Sequence, residues 1–75
     1  MSDIPVEVQV QIIRQKIQIW RNTEYDAQLD AEIAQVLSDD QMLAAAVQRM
    51  KNAKKAIAEL TRKLDGLERA AAEVE

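Results

Sequence analysis

Leu37-Ser38-Asp39-Asp40-Gln41-Met42 is the stretch that decides how this chain folds. The single Pro is Pro5 and the single Gly is Gly66, so the 60 residues between them hold no strong breaker. Such a stretch suits long helices better than strands and turns. A reversal inside it must come from capping chemistry. With Ser38 as N-cap, Gln41 falls at N3 and completes a capping box, and Leu37 and Met42 take the two positions of a hydrophobic staple. Asp39 and Asp40 fall in the first turn, where the helix dipole favours negative charge. The stretch therefore predicts a turn at about 37–39 and a helix start near 39.

Downstream, the apolar pattern is regular. Leu43, Met50, Ile57, Leu64 and Ala71 recur every seven residues, and Ala46, Ala53, Leu60, Leu67 and Val74 follow three residues later. That is an unbroken a/d seam. Gly66 lands on the solvent side, where it costs about 1 kcal/mol relative to Ala. Helix 2 is expected from about 39 to about 74, roughly 53 Å at 1.5 Å per residue.

Upstream, the pattern is less clean. Val6, Val10, Ile13, Ile17 and Trp20 form one helical stripe, while Ile4, Val8, Ile12 and Ile19 form a second on another flank. After Trp20 the large apolar residues Tyr25, Leu29, Ile33 and Val36 continue on a rotated face. Thr23 with Asp26 resembles a weak capping box, which offers a kink at 21–24, and a coiled-coil stutter is the favoured reading of the shift. Helix 1 is expected over about 4–37, with Pro5 in its first turn. The alternation of Ile4, Val6, Val8, Val10 and Ile12 with polar residues also fits a strand template, and helix is the favoured reading.

Two arms of nearly equal length predict an all-α antiparallel helical hairpin, one domain over 1–75. In that register Trp20 faces Ile57, Ile17 faces Leu60, Ile13 faces Leu64 and Val10 faces Leu67. Near the turn, Ile33 faces Leu43 and Ala44, and Leu29 faces Val47. Asp26 lies near Lys51 and Glu24 near Lys54. The rival is one uninterrupted helix through Ser38, paired with another copy.

Composition narrows the function. With no Cys and no His, the chain lacks a thiolate nucleophile, a neutral-pH general base and a Cys/His zinc site. One Gly forbids a Gly-rich phosphate loop. The expected class is non-enzymatic, without cofactor. The net charge of −3 argues against a general nucleic-acid binder. Met1 to Val10 has no basic start and does not read as a signal peptide. No apolar run reaches about 18 residues, so no membrane span is expected, and cytoplasmic is the default compartment.

A chain of 75 residues is marginal as a monomer, and self-association is a common remedy. Only one stripe of helix 1 can face helix 2, so Val8, Ile12 and Ile19 are expected to meet a partner. The simplest partner is a second copy, giving a dimeric four-helix bundle. Trp20 and Tyr25, the only aromatics, join the candidate interface list, with the core favoured for Trp20 and exposure for the Tyr25 hydroxyl. The expected function is a small assembly module that binds itself and another protein through helix 1.

The alternative is a nucleic-acid-binding regulator using Arg14, Gln18, Arg21, Lys55 and Arg62. Gln11, Arg14, Gln15, Gln18, Arg21 and Asn22 share one polar face of helix 1. That layout is similar to the small plasmid copy-number regulators of the Rop type, helical-hairpin dimers that bind RNA through a polar helix face. The similarity is architectural and covers no sequence motif. If residues 4–12 formed a strand, the chain would look like a ribbon-helix-helix DNA binder, with Glu7, Gln9 and Gln11 facing the groove. Asp26 and Asp30, one turn apart, have the spacing of a carboxylate pair in a metal site, but solvated helix surface is the favoured reading.

Overall fold

A computed structural model describes residues 3–74, with Val74 described in its backbone only. It contains two helices, α1 (Val6–Leu37) and α2 (Asp40–Val74), folded back on one another. The hairpin measures 56 × 18 × 15 Å. The long dimension matches a straight helix of α2's length, since 35 residues rise about 53 Å at 1.5 Å each. The reversal excludes the single through-helix. There is no strand among the described residues, and residues 6–12 are helical. Pro5 lies just before the helix as its N-cap and not within its first turn, and its carbonyl accepts from the N–H groups of Val8 and Gln9.

The turn is where expected, but its chemistry is shifted by one residue. Ser38 does not cap α2. It ends α1 in the left-handed region, at φ 54° and ψ 39°. The Ser38 N–H donates to the carbonyl of Gln35 and the Asp39 N–H to that of Ala34, at 3.2 and 2.9 Å. These two bonds form a Schellman motif. Asp39 then becomes the N-cap, its Oδ1 accepting from the Met42 N–H at 3.0 Å. A reversal needs both a residue that stops one helix and a residue that starts the next. Ser38 is used up by the first task, so the cap falls to Asp39.

A serine held at positive φ is strained, because its Cβ crowds the following carbonyl. Ser38→Gly should relieve that strain. After subtracting the extra freedom of the unfolded chain, the gain is about 0.5–1 kcal/mol. The expected reading is a rise of several degrees in the thermal midpoint followed by circular dichroism. An unchanged or lowered midpoint would show that the serine side chain offsets its own backbone strain.

The α2 seam lies as its spacing requires. Ala46 and Ala53 are buried, and Leu43, Met50, Ile57, Leu60, Leu64 and Leu67 are half-buried. Ala71 is exposed at the open end, and the Val74 side chain lies outside the described residues. Gly66 faces open space.

In α1 the first half follows expectation, and the second half corrects it. Val10, Ile13 and Trp20 are half-buried, Ile17 is buried, and Val6 is exposed. Beyond Trp20 the residues turned toward α2 are Ala27, Ala31 and Ala34, all buried. Leu29 and Ile33, expected to face α2, are exposed instead, as are Tyr25 and Val36. The buried line therefore keeps one phase through Ile17, Trp20, Glu24, Ala27, Ala31 and Ala34. No stutter is present, and α1 runs unbroken through 21–24. Thr23 is not a cap; its hydroxyl donates to the Ile19 carbonyl within the same helix at 3.1 Å.

Candidate functional site

The heptad phase of α1 fixes what its far side carries. With the line through Ile17, Trp20, Ala27 and Ala31 against α2, positions on the opposite side recur at 8, 12, 15, 19, 22, 26, 29, 33 and 36. This is itself a 3–4 seam. Six of its nine positions are apolar: Val8, Ile12, Ile19, Leu29, Ile33 and Val36. All six are exposed, Ile19 to 60% and Val36 to 84%. Ile4 and Tyr25 flank the line and are exposed as well. Gln15, Asn22 and Asp26 interrupt it near the middle.

The outer side of α2 is different. Its most outward positions are Gln48, Lys55, Arg62 and Arg69, all exposed and polar. The hairpin thus has one wet helix and one helix that is apolar on both sides. α1 is the less one-sided helix for this reason.

Three of the five candidate interface residues, Val8, Ile12 and Ile19, lie together on the outward face. Tyr25 borders it. Trp20 does not belong to it, because it sits half-buried on the side facing α2. Sequence reasoning missed Leu29, Ile33 and Val36 as members of this face. It set Leu29 and Ile33 against α2 and carried Val36 on the same rotated line, because the large apolar residues after Trp20 fall there.

Ion pairs hold the sides of the hairpin. The Arg49 guanidinium donates to Asp30 Oδ2 through one nitrogen and to Asp26 Oδ2 through the other, each at 2.8 Å. The expected pairing of Asp26 with Lys51 is therefore replaced, since the forked guanidinium spans two carboxylates one helical turn apart. This also accounts for the Asp26/Asp30 spacing. The hydrogen bond with Asp26, ahead of that with Asp30, pushes Arg49 above its ordinary pKa despite some desolvation. Glu24 lies 3.9 Å from Lys54, as expected.

The residues of the nucleic-acid alternative are not brought to one surface. Arg14 pairs with Glu68 across the helices at 3.2 Å. Gln18 donates to Asn22 at 3.0 Å. Arg62 donates to Glu59, and that bond holds the Glu59 carboxyl below its usual range. Arg14 and Arg21 lie along one flank of α1, whereas Lys55 and Arg62 point outward from α2. Among the described residues there is no pocket, no acidic cluster able to hold a metal, and no helix long and apolar enough to cross a membrane. Comparison with protein-family models, with curated proteins and with solved structures finds no match to this chain.

Proposed function

We propose that this chain is a non-enzymatic assembly module that associates with itself through the outward face of α1 and, so assembled, binds another protein. The observation that carries this reading is the second apolar seam, which runs the length of α1 on the side away from α2. Full burial of an exposed aliphatic side chain is worth roughly 1.5–3 kcal/mol. A partner would supply the part of it that Val8, Ile12, Leu29 and Ile33, more than half covered already, and the more exposed Ile19 and Val36 still lack.

The surface area supports the same reading. A compact monomer of 8.5 kDa is expected to expose about 4,700 Å². This hairpin exposes 5925 Å², about a quarter more than that expectation. The excess is comparable with the roughly 800 Å² that each partner contributes to a stable interface. The core is correspondingly thin. Of the buried apolar residues among those described, only Ile17 is larger than alanine.

Sedimentation velocity over a concentration series tests the reading. The unmodified chain should sediment as a dimer, and Ile12→Glu/Ile19→Glu as a monomer that keeps its helical circular dichroism. Both substitutions lie on the exposed face, so the hairpin should survive them. An unmodified chain that stays monomeric at several hundred micromolar, or a variant with undiminished dimer mass, would overturn it.

A further inference from the structure

We propose that the outward face of α1 docks on the same face of a second copy in antiparallel orientation, with Val8 on the partner's Ile33 and Ile12 on the partner's Leu29. The proposal rests on the self-assembly reading above and adds orientation and register. Two features of the face carry it.

The first is the order of residues along the seam. A two-fold axis crossing α1 between Trp20 and Arg21 sets Val8, Ile12, Gln15 and Ile19 against the partner's Ile33, Leu29, Asp26 and Asn22, and Val36 against the partner's Pro5. Both apolar ends are then matched with apolar ends. Gln15 meets the partner's Asp26, so an amide faces a carboxylate. Asp26 gives its Oδ2 to Arg49, which leaves Oδ1 to accept from the Gln15 amide. Slipping the register by a heptad in one direction would set Val8 on the partner's Asp26. Slipping in the other would set Gln15 on the partner's Ile33 and shorten the overlap.

The second feature is charge. Within α1, the half before Thr23 carries Arg14, Lys16 and Arg21 against Glu7 alone. The half from Thr23 onward carries Glu24, Asp26, Asp30 and Glu32 and no base. Arg14, Glu24, Asp26 and Asp30 already pair with α2, and antiparallel docking lays the half with Lys16 and Arg21 on the half with Glu32. Parallel docking would lay Asp26 directly on the partner's Asp26 within the seam, where like charges repel and desolvation raises the cost. Because this seam lies opposite the one facing α2, the two α1 helices form the middle of the assembly, and each α2 lies outside its own α1. That arrangement is a four-helix layer rather than a square bundle.

Spin labelling tests orientation separately from association. The chain has no Cys, so Gln11→Cys and Glu32→Cys, each flanking the seam, give single-label variants whose dimer mass is checked first. In the proposed register the label-to-label separation along the axis is about 29 Å for position 11 and about 35 Å for position 32, at 1.5 Å per residue. A heptad slip lengthens one separation and shortens the other by about 10 Å, so the pair of distances fixes the register. Two separations near those values support the proposal. Two separations below about 15 Å mean parallel docking and overturn it, as does a slipped pair. An unmodified chain that is monomeric overturns the self-assembly reading itself.

Discussion

Ala53→Leu is expected to destabilise the hairpin severely, whereas Ala58→Leu, five residues along the same helix, should be nearly silent. Ala53 is fully buried and Ala58 exposed. Alanine and leucine have similar helix propensities, so the pair isolates packing from helix formation. From Ala53 toward the turn the two helices meet largely through small side chains, with Ala27, Ala31 and Ala34 buried on α1 and Ala46 on α2. Small residues at a crossing allow interaxial distances near the lower end of the 8–10 Å range. A leucine at position 53 has no void to enter and must push the helices apart. Overpacking of this kind typically costs about 1–3 kcal/mol. A scaffold of this size rarely holds more than about 3–5 kcal/mol in total. The expected result is a drop in thermal midpoint of at least several degrees for Ala53→Leu, with Ala58→Leu close to the unmodified chain. Equal midpoints for the two variants would show that the alanine-rich half of the hairpin is not closely packed.

Those alanines also explain which parts of the fold were legible in the sequence. The α2 seam was readable because large aliphatics mark it every seven residues, and the rest of that helix is charged. The turn was readable because Ser38, Asp39 and Asp40 gather three capping signals in a chain otherwise without breakers. The second half of α1 was misread for a physical reason. Hydrophobic periodicity follows bulk, and after Trp20 the bulk sits at Tyr25, Leu29, Ile33 and Val36. The helix turns its small residues inward instead. The signal was present in the spacing. Trp20, Glu24, Ala27, Ala31 and Ala34 continue the 4–3 rhythm of Val10, Ile13 and Ile17 without a phase shift. Periodicity gives the faces of a helix but does not say which face is inside when two are apolar. The side chains of α2 decide that question, because a line of buried Ala on α1 lets the larger Leu43 and Met50 of α2 approach.

The same ambiguity makes Ile17 and Ile19 a decisive pair. They are the same residue type two positions apart, yet Ile17 is 7% exposed and Ile19 60%. Ile17→Ala deletes the largest buried side chain of the hairpin. Such core truncations cost about 2–5 kcal/mol, comparable with the whole stability expected of a scaffold this small. Ile17→Ala should therefore be largely unfolded when dilute. Raising the concentration should restore part of its helicity, because only the folded hairpin presents the face that associates. Ile19→Ala carries the same change in intrinsic helix propensity but removes nothing from the α1–α2 contact. Its dilute thermal midpoint should match that of the unmodified chain, and its effect should appear only as a smaller rise in midpoint with concentration. Circular dichroism melts of both variants at two widely separated concentrations distinguish these outcomes. If Ile19→Ala were the more damaging variant at high dilution, the inward and outward faces of α1 would have to be exchanged, and the assignment of its outer seam to a second copy would fall with them.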